Sequence, residues 1–202
     1  LQTKYIMYRN ICLIGLPYSG KSVIGNKLYK HLNKGFVDTD DIIKHKYTRS
    51  LPQLIKCVGN NYFLDIEKKV INSLYHENTV LATGGSVIYS EESMDHIKNV
   101  LHCEIYHLFL SKKEFLSRID SLEERGVIMD KDQSLTDLYN ERIDLYDKYA
   151  DKTISACRHI NLDLFRGETY IPTNGELYKR KNYERDMCIK NQLYPDYYPS
   201  SY

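Results

Sequence analysis

The sequence contains no tryptophan, only five prolines and no excess of charge of either sign. Its 28 lysines and arginines balance 27 aspartates and glutamates, which argues against a general electrostatic attraction to nucleic acid or to an anionic membrane. No apolar run is long enough to cross a bilayer, and residues 1–9 lack the apolar centre of a signal peptide. We therefore expect a cytoplasmic protein that binds neither nucleic acid nor membranes and builds any anion site locally.

Motifs for disulfides, zinc sites and hydrolytic triads are also missing. The five cysteines are widely spaced and form no CxxC pair, and the seven histidines show no zinc spacing. No arrangement of Cys, His and Asp is typical of a hydrolase. We therefore expect the cysteines to be reduced thiols. Any catalytic activity must depend on other residues. The sequence makes no prediction about the oligomeric state.

Short apolar runs alternate with helical periodicity along most of the chain. Residues 10–14 are strand-like, residues 21–32 have apolar side chains at helical spacing, and Ser134 with Asp137 has the form of a capping box. The alternation predicts a three-layer α/β fold with a mostly parallel central sheet and helices on both faces. Residues 1–158 are predicted to form one domain, and the tyrosine-rich residues 159–202 a C-terminal extension.

A phosphate-binding motif lies between the first predicted strand and the first predicted helix. Residues 15–22 read GLPYSGKS and fit the P-loop pattern GxxxxGK[ST]. Glycines let backbone N–H groups turn toward phosphate oxygens, and the helix that follows adds its positive end. Lys21 can reach the β- and γ-phosphates, and the Ser22 hydroxyl can ligate Mg²⁺. The residues predicted to hold the nucleotide here are Gly15, Ser19, Gly20, Lys21, Ser22 and Val23. A P-loop alone does not distinguish kinases from GTPases and motor ATPases.

Three further motifs follow later in the chain. Residues 36–40 read FVDTD, residues 81–85 read LATGG, and residues 137–151 read DLYNERIDLYDKYAD. Together with the P-loop, these motifs resemble the shikimate kinase family in kind and order over residues 10–155. The resemblance implies the P-loop NTPase fold, ATP and Mg²⁺ as cofactors, and transfer of the γ-phosphoryl group to a hydroxyl of a small metabolite. It also implies a mobile lid at about residues 120–133.

Two aspartates after the second predicted strand receive roles from this resemblance. Asp38 would hold Mg²⁺ through water, and Asp40 would accept a hydrogen bond from the acceptor hydroxyl and help to remove its proton. A carboxylate that faces a P-loop from the end of a strand can orient an alcohol for in-line attack, which agrees with these roles. The alternative is that either aspartate only caps the next helix, although Asp41 is the expected cap.

The remaining site residues are also assigned by resemblance. Arg125 would reach the phosphates from the lid and Arg118 would stack on the adenine, although both could be surface arginines. The expected acceptor contacts come from Asp40, Gly84, Gly85, Ser86 and Arg142. Arg142 would bind an acceptor carboxylate with two prongs, unless it pairs with Glu141 or Asp144 on its own helix. Gly84 and Gly85 could also be a plain turn. The residues expected to act in catalysis are Lys21, Asp40 and Arg125.

Two residues near the expected acceptor depart from the family pattern, Leu64 and Ser86. Shikimate kinases usually carry Phe-Arg-x-x-Glu, whereas residues 63–67 read FLDIE, so that Leu64 replaces an arginine that clamps the substrate carboxylate. Such a contact is worth about 1.5–3 kcal/mol, so its loss weakens shikimate binding by about tenfold to a hundredfold unless another cation substitutes. Lys68 and Lys69 are near in sequence but need a change of helix register. Ser86 also stands where the family has a third glycine.

Three functions remain open from the sequence. The first is a shikimate kinase with an altered clamp, and the second is a kinase of another small polyol, hydroxy acid or nucleoside-like alcohol. The third is a catalytically inactive nucleotide-binding module whose tyrosine-rich tail binds a partner, although the retained P-loop and aspartates argue against it. A nucleoside monophosphate kinase is a weaker alternative, because its substrate phosphate needs more arginines than Arg125 and Arg142.

The stripe formed by Tyr139, Ile143 and Tyr146 is predicted to be part of the helix core and not a ligand site.

Overall fold

The fold is described from a computed structural model for residues 10–119, 126–156 and 160–165. Strands alternate with helices in this part of the chain, as the apolar pattern predicts. The strands are β1 (Asn10–Ile14), β2 (Gly35–Asp38), β3 (Thr79–Ala82), β4 (Cys103–Phe109) and β5 (Lys152–Ser155). The α-helices are α1 (Lys21–Leu32), α2 (Thr39–Tyr47), α3 (Leu51–Val58), α4 (Asn60–Asn72), α5 (Glu91–Asp95), α6 (Lys112–Arg118) and α7 (Leu135–Tyr149). Short 3-10 turns span Val87–Tyr89 and Leu162–Phe165, and a π-turn spans His96–Val100.

The five strands form one parallel sheet in the order β2-β3-β1-β4-β5. Strand β1 lies at its centre, with Cys12 paired to Leu81 of β3 and to Ile105 of β4. All five residues of β1 are buried, which is typical of a central parallel strand covered on both faces. The predicted three-layer α/β fold is confirmed. Because all strands run in one direction, the segments that follow β1, β2 and β3 meet at one edge of the sheet.

Capping residues determine where several helices begin. Complete capping boxes begin α3 at Ser50, α6 at Ser111 and α7 at Ser134. The predicted box at the start of α7 is confirmed: Ser134 Oγ accepts a hydrogen bond from Asp137 N (3.1 Å), and the Asp137 carboxylate accepts one from Ser134 N (3.2 Å). Caps of this kind stabilise a helix end by about 1 kcal/mol and fix the residue at which the helix starts. The register of α7 then buries Arg142 and Tyr146.

A second hydrophobic cluster joins α2, α3 and α4 beside the sheet. Its buried members are Ile43, Leu51, Leu54, Phe63, Ile66, Val70 and Ile128. Ile128 belongs to the predicted lid and is 7% exposed. Asn60 at the start of α4 also donates a hydrogen bond to the Met129 carbonyl (2.8 Å). The described part of the predicted lid therefore packs on these helices, while residues 120–125 lie outside the described residues.

Phe165, the last of the described residues, packs against the core. The Phe165 ring is 1% exposed and lies against Tyr106, with ring centroids 4.7 Å apart. This contact lies beyond the predicted domain boundary at residue 158, and the division into two domains stays a prediction because most of residues 159–202 lie outside the described part. None of the helices in the described ranges is long and apolar enough to cross a membrane.

Candidate active site

The P-loop connects β1 to α1 and closes against the neighbouring strand β4. Gly15 has a φ of 147°, and a Cβ there would lie 2.7 Å from the carbonyl oxygen of Leu108. Only glycine fits this conformation and this close approach. Gly20, with a φ of 86°, ends the loop as the residue before α1. The sequence motif therefore has the strand–loop–helix setting that phosphate binding requires.

Lys21 holds its ammonium group across the loop. Its Nζ donates hydrogen bonds to the carbonyl oxygens of Gly15 (2.8 Å) and Leu16 (2.9 Å), and the side chain is 9% exposed. Ser22 and Val23 follow on the exposed first turn of α1. A phosphate group that enters the loop meets this cation together with the positive end of α1. The loop can therefore bind the phosphates of a nucleotide.

Asp38 caps α2 at the end of β2. Its Oδ1 accepts a hydrogen bond from Asp40 N (3.0 Å), which satisfies one of the free N–H groups of the first helical turn. The expectation that Asp41 is the cap is wrong, because Asp41 lies inside the first turn and pairs with Lys44 (2.5 Å). The cap uses one oxygen of the Asp38 carboxylate, so capping does not conflict with metal binding through water.

Two of the predicted residues offer the hard oxygen ligands that Mg²⁺ prefers. These are the Ser22 hydroxyl and the Asp38 carboxylate, which is 9% exposed. Mg²⁺ in kinase sites is bound by one or two protein groups, and substrate phosphates and water complete its octahedron. Within the described residues no group of three or more His, Cys, Asp or Glu could hold a metal ion by itself. The residues present therefore fit Mg²⁺ bound together with a nucleotide.

The Asp40 carboxyl lies in a setting that favours its protonated form. Burial raises its pKa to about 6, and the negative charge of Asp38 adds to this effect, while Lys21 and Lys44 oppose it. A carboxyl group with a pKa nearer neutrality is a better general base than an exposed aspartate, provided that it is still mostly ionised at the working pH. With a pKa of about 6, Asp40 is more basic than an exposed aspartate and is still mostly ionised at pH 7.5.

Gly84 provides space for two carboxyl groups. A Cβ at this position would lie 2.0 Å from Glu67 Oε1 and 3.0 Å from Asp40 Oδ1, so any side chain would displace them. The N–H of Gly84 donates to Thr39 Oγ1 (3.1 Å), which ties the segment after β3 to the start of α2. The absence of a side chain at Gly84 therefore leaves room for Asp40 and Glu67. Contact between Gly84 and an acceptor stays a prediction.

Glu67 belongs to this site, although sequence reasoning did not select it. It is 5% exposed and accepts a hydrogen bond from the Ser86 hydroxyl. Burial raises the pKa of Glu67 to about 7, Asp40 raises it further, and the Ser86 hydroxyl and Arg142 oppose the change. The sequence carries a signal for this position, because Glu67 interrupts the apolar stripe of Phe63, Ile66 and Val70 at helical spacing.

Arg142 reaches the same place from α7 and is only 1% exposed. Its Nη2 donates to the carbonyl of Ile128 (2.5 Å) and its Nε to the hydroxyl of Tyr89 (3.1 Å). Its Nη1 lies 3.1 Å from the point where Gly85 would carry a Cβ. Among the described residues, Arg142 forms no ion pair with Glu141 or Asp144, so the intrahelical alternative is wrong. The guanidinium faces the segment after β3, beside the carboxyl groups.

Tyr146 fixes the turn that follows β3. Its ring is fully buried, as predicted, and packs on His107 with ring centroids 4.9 Å apart. Its hydroxyl donates to the carbonyl of Gly85 (2.6 Å), a bond that the apolar stripe did not predict. Burial raises the pKa of Tyr146, so the hydroxyl stays protonated and remains a donor. Tyr146 therefore acts as a structural support beneath the glycines.

The two other predicted arginines have different outcomes. Arg118, at the end of α6, donates to the carbonyl oxygens of Tyr18 (3.2 Å) and Ala156 (3.2 Å). It therefore lies against the P-loop, and its stacking on adenine stays a prediction. Arg125 lies outside the described residues, and its contact with phosphates is likewise a prediction. The structure brings together Lys21, Asp38, Asp40, Gly84, Gly85, Ser86 and Arg142.

Comparison with known proteins gives a consistent result. The family model described as shikimate kinase matches residues 17–165. A curated shikimate kinase from Clostridium botulinum (strain Okra / Type B1) is 33% identical over 143 residues, which cover 69% of this chain and 83% of that relative. The crystal structure of shikimate kinase from Aquifex aeolicus has a TM-score of 0.63 at 30% identity and covers 73% of this chain and 86% of its own. Shikimate kinase from Acinetobacter baumannii in complex with shikimate has a TM-score of 0.66 at 25% identity, with 94% and 97% covered.

Proposed function

We propose, because this chain belongs to the shikimate kinase family, that its acceptor is shikimate or a closely related polyhydroxylated compound. The chain is an ATP-dependent phosphotransferase that acts on a hydroxyl group of a small metabolite, as its relatives are. The observation that carries the finer proposal is the convergence of Asp40, Glu67 and Arg142 on Gly84 and Gly85, at the edge of the sheet that carries the P-loop. An acceptor held there faces the γ-phosphate.

In the proposed reaction, Asp40 accepts the proton of the acceptor hydroxyl as the hydroxyl oxygen attacks the γ-phosphorus. The bond from that phosphorus to the bridging oxygen breaks, and ADP leaves. The carboxylate is mostly ionised at pH 7.5, so it can accept a hydrogen bond and then the proton. Lys21 neutralises part of the charge on the phosphates, and the start of α1 adds the positive end of the helix. These groups orient two reactants that are otherwise free in solution, which lowers the barrier through proximity.

We propose that Ser22 and Asp38 hold Mg²⁺, which would supply positive charge to the phosphate oxygens of bound ATP. We also propose that Arg118 stacks on the adenine and that Arg125 reaches the phosphates from a mobile lid at about residues 120–133. Residues 159–202 would form a C-terminal extension in which Phe165 packs on Tyr106 of the core. The proposed compartment is the cytoplasm, and the free thiols of Cys12, Cys57 and Cys103 support this. The relatives do not favour an inactive nucleotide-binding module or a nucleoside monophosphate kinase.

The test is ADP release from Mg²⁺-ATP with a panel of acceptors, namely shikimate, other cyclic polyols, hydroxy acids, nucleosides and nucleoside monophosphates. Asp40→Asn is expected to lower kcat by about 10²–10⁴-fold and to leave the Kd for ATP unchanged, because it removes the base but not the P-loop. Asp41→Asn is the matched control, since Asp41 is the next residue and is exposed. Unchanged transfer in Asp40→Asn would remove Asp40 as the base, and no turnover with any acceptor would refute the proposed function.

A further inference from the structure

A cavity of about 320 Å³ lies between α4 and the segment that runs from Ser86 into α5. Glu67 and Ser86 line it and also belong to the candidate active site, so the cavity begins where that site ends. Leu64, the residue that replaces the family's arginine, lines the same cavity. The cavity therefore adjoins, through Glu67 and Ser86, the place where an acceptor hydroxyl would face Asp40.

Two hydrogen-bond donors around this cavity are directed at carboxylates. The Ser86 hydroxyl donates to Glu67, and the Lys68 ammonium pairs with the Glu92 carboxylate (2.6 Å). The exposed carboxylates of Asp65 and Glu91 also line the cavity, which gives it an excess of negative charge. A carboxylate placed here meets repulsion from these acidic groups. An uncharged group that donates hydrogen bonds meets carboxylate oxygens that can accept them.

A buried hydroxyl on α5 also lines the cavity. Ser93 lines the cavity and is 1% exposed, and its Oγ has no hydrogen-bond partner among the described residues. Leaving a buried hydroxyl unpaired is costly, so such a group is usually satisfied by water or by a ligand. This observation is independent of the acidic residues at the rim of the cavity. It adds an unpaired polar group to the cavity wall, and its Oγ is enclosed in this conformation.

We propose that this cavity is the second half of the acceptor site, that it binds an uncharged hydroxymethyl-like or carboxamide-like group, and that Leu64 sets this preference. The proposal rests on the proposed function and narrows its acceptor to a polyhydroxylated compound without a carboxylate at this end. An arginine at position 64 would add a positive charge to the wall of the cavity and occupy part of its volume. Leucine leaves the volume open and adds no charge.

The experiment compares two acceptors that differ only at this group. One is shikimate, and the other is the primary alcohol obtained by reduction of its carboxylate. The wild-type kcat/KM is expected to be at least about tenfold higher for the alcohol. Leu64→Arg is expected to shift the ratio toward shikimate by about tenfold to a hundredfold, as for a charge-assisted contact. Leu64→Met, which is similar in size and uncharged, is the control that leaves the ratio unchanged.

Ser93→Ala tests the inner end of the cavity. It is expected to lower kcat/KM for the alcohol severalfold and to leave the KM for ATP unchanged, because it removes one hydroxyl from the acceptor side and no group that faces the P-loop. A wild-type preference for shikimate, or a ratio that Leu64→Arg does not shift, overturns the proposal. Titration of both compounds into the ADP-bound protein separates the two proposals. Preferred binding of the alcohol without turnover supports the cavity and refutes the proposed function, whereas binding of neither compound overturns the cavity.

Discussion

Glu67 is expected to make the folded protein less stable as the pH rises toward 8. Its carboxyl group is 5% exposed, and burial raises its pKa from 4.5 to about 7. Because the pKa is higher in the folded than in the unfolded state, the folded protein binds the proton more tightly between these values. The free energy of unfolding therefore falls as the pH rises through that window and is constant above it. The difference between a pKa of 4.5 and one of about 7 corresponds to about 3 kcal/mol.

Glu67→Gln removes this pH dependence while it keeps the shape of the side chain. The amide oxygen can still accept the Ser86 hydroxyl, and no charge is buried at high pH. Urea unfolding followed by circular dichroism at pH 5 and pH 8 covers most of the window, and the variant is expected to gain about 2–3 kcal/mol on the wild type between the two pH values. Asp65→Asn, on the exposed side of the same helix, is the control. A variant that follows the wild-type pH dependence within about 0.5 kcal/mol refutes the reasoning.

Two further substitutions test the segment after β3. Gly84→Ala places a methyl group 2.0 Å from Glu67 Oε1, so we expect both carboxyl groups to move and kcat to fall by about a hundredfold, with the Kd for ATP unchanged. Steady-state kinetics measures this, and normal kcat would show that the carboxyl positions do not matter. Tyr146→Phe leaves the Gly85 carbonyl without its donor, so urea unfolding should show a loss of about 1–3 kcal/mol, and an unchanged value would refute that role.

The sequence predicts the fold and the P-loop well because both depend on local patterns. Strand and helix periods follow from which side chains are buried, and the motif from Gly15 to Ser22 needs only its own residues and flanks. The capping residue of a helix is harder to predict when several suitable residues are adjacent in sequence. Three aspartates lie between residues 38 and 41, and the cap falls on Asp38 because β2 ends there, which depends on its pairing with β3. The expected cap, Asp41, is therefore three residues away from the observed cap, Asp38.

Long-range contacts account for what the sequence left out. Glu67 could have been selected, because a carboxylate within an apolar stripe at helical spacing must be buried with a partner or with a shifted pKa. The partner of Glu67 could not have been predicted. The hydrogen bond from Ser86 joins two segments that only the folded sheet brings together. The cavity is less predictable still, because its volume depends on how far α5 lies from α4. No local pattern encodes that distance.

The two departures from the family pattern are physically connected through Glu67. An arginine at position 64 would lie three residues before Glu67, on the same side of α4, and could pair with its carboxylate. Leucine supplies no charge, and the hydroxyl of Ser86, where the family has glycine, donates to Glu67 instead. A hydroxyl stabilises a buried carboxylate less than a cation does, which agrees with a pKa raised to about 7. Leu64 and Ser86 thus leave Glu67 without a cation at position 64, which agrees with the proposed preference for an acceptor that donates hydrogen bonds over one that carries a carboxylate.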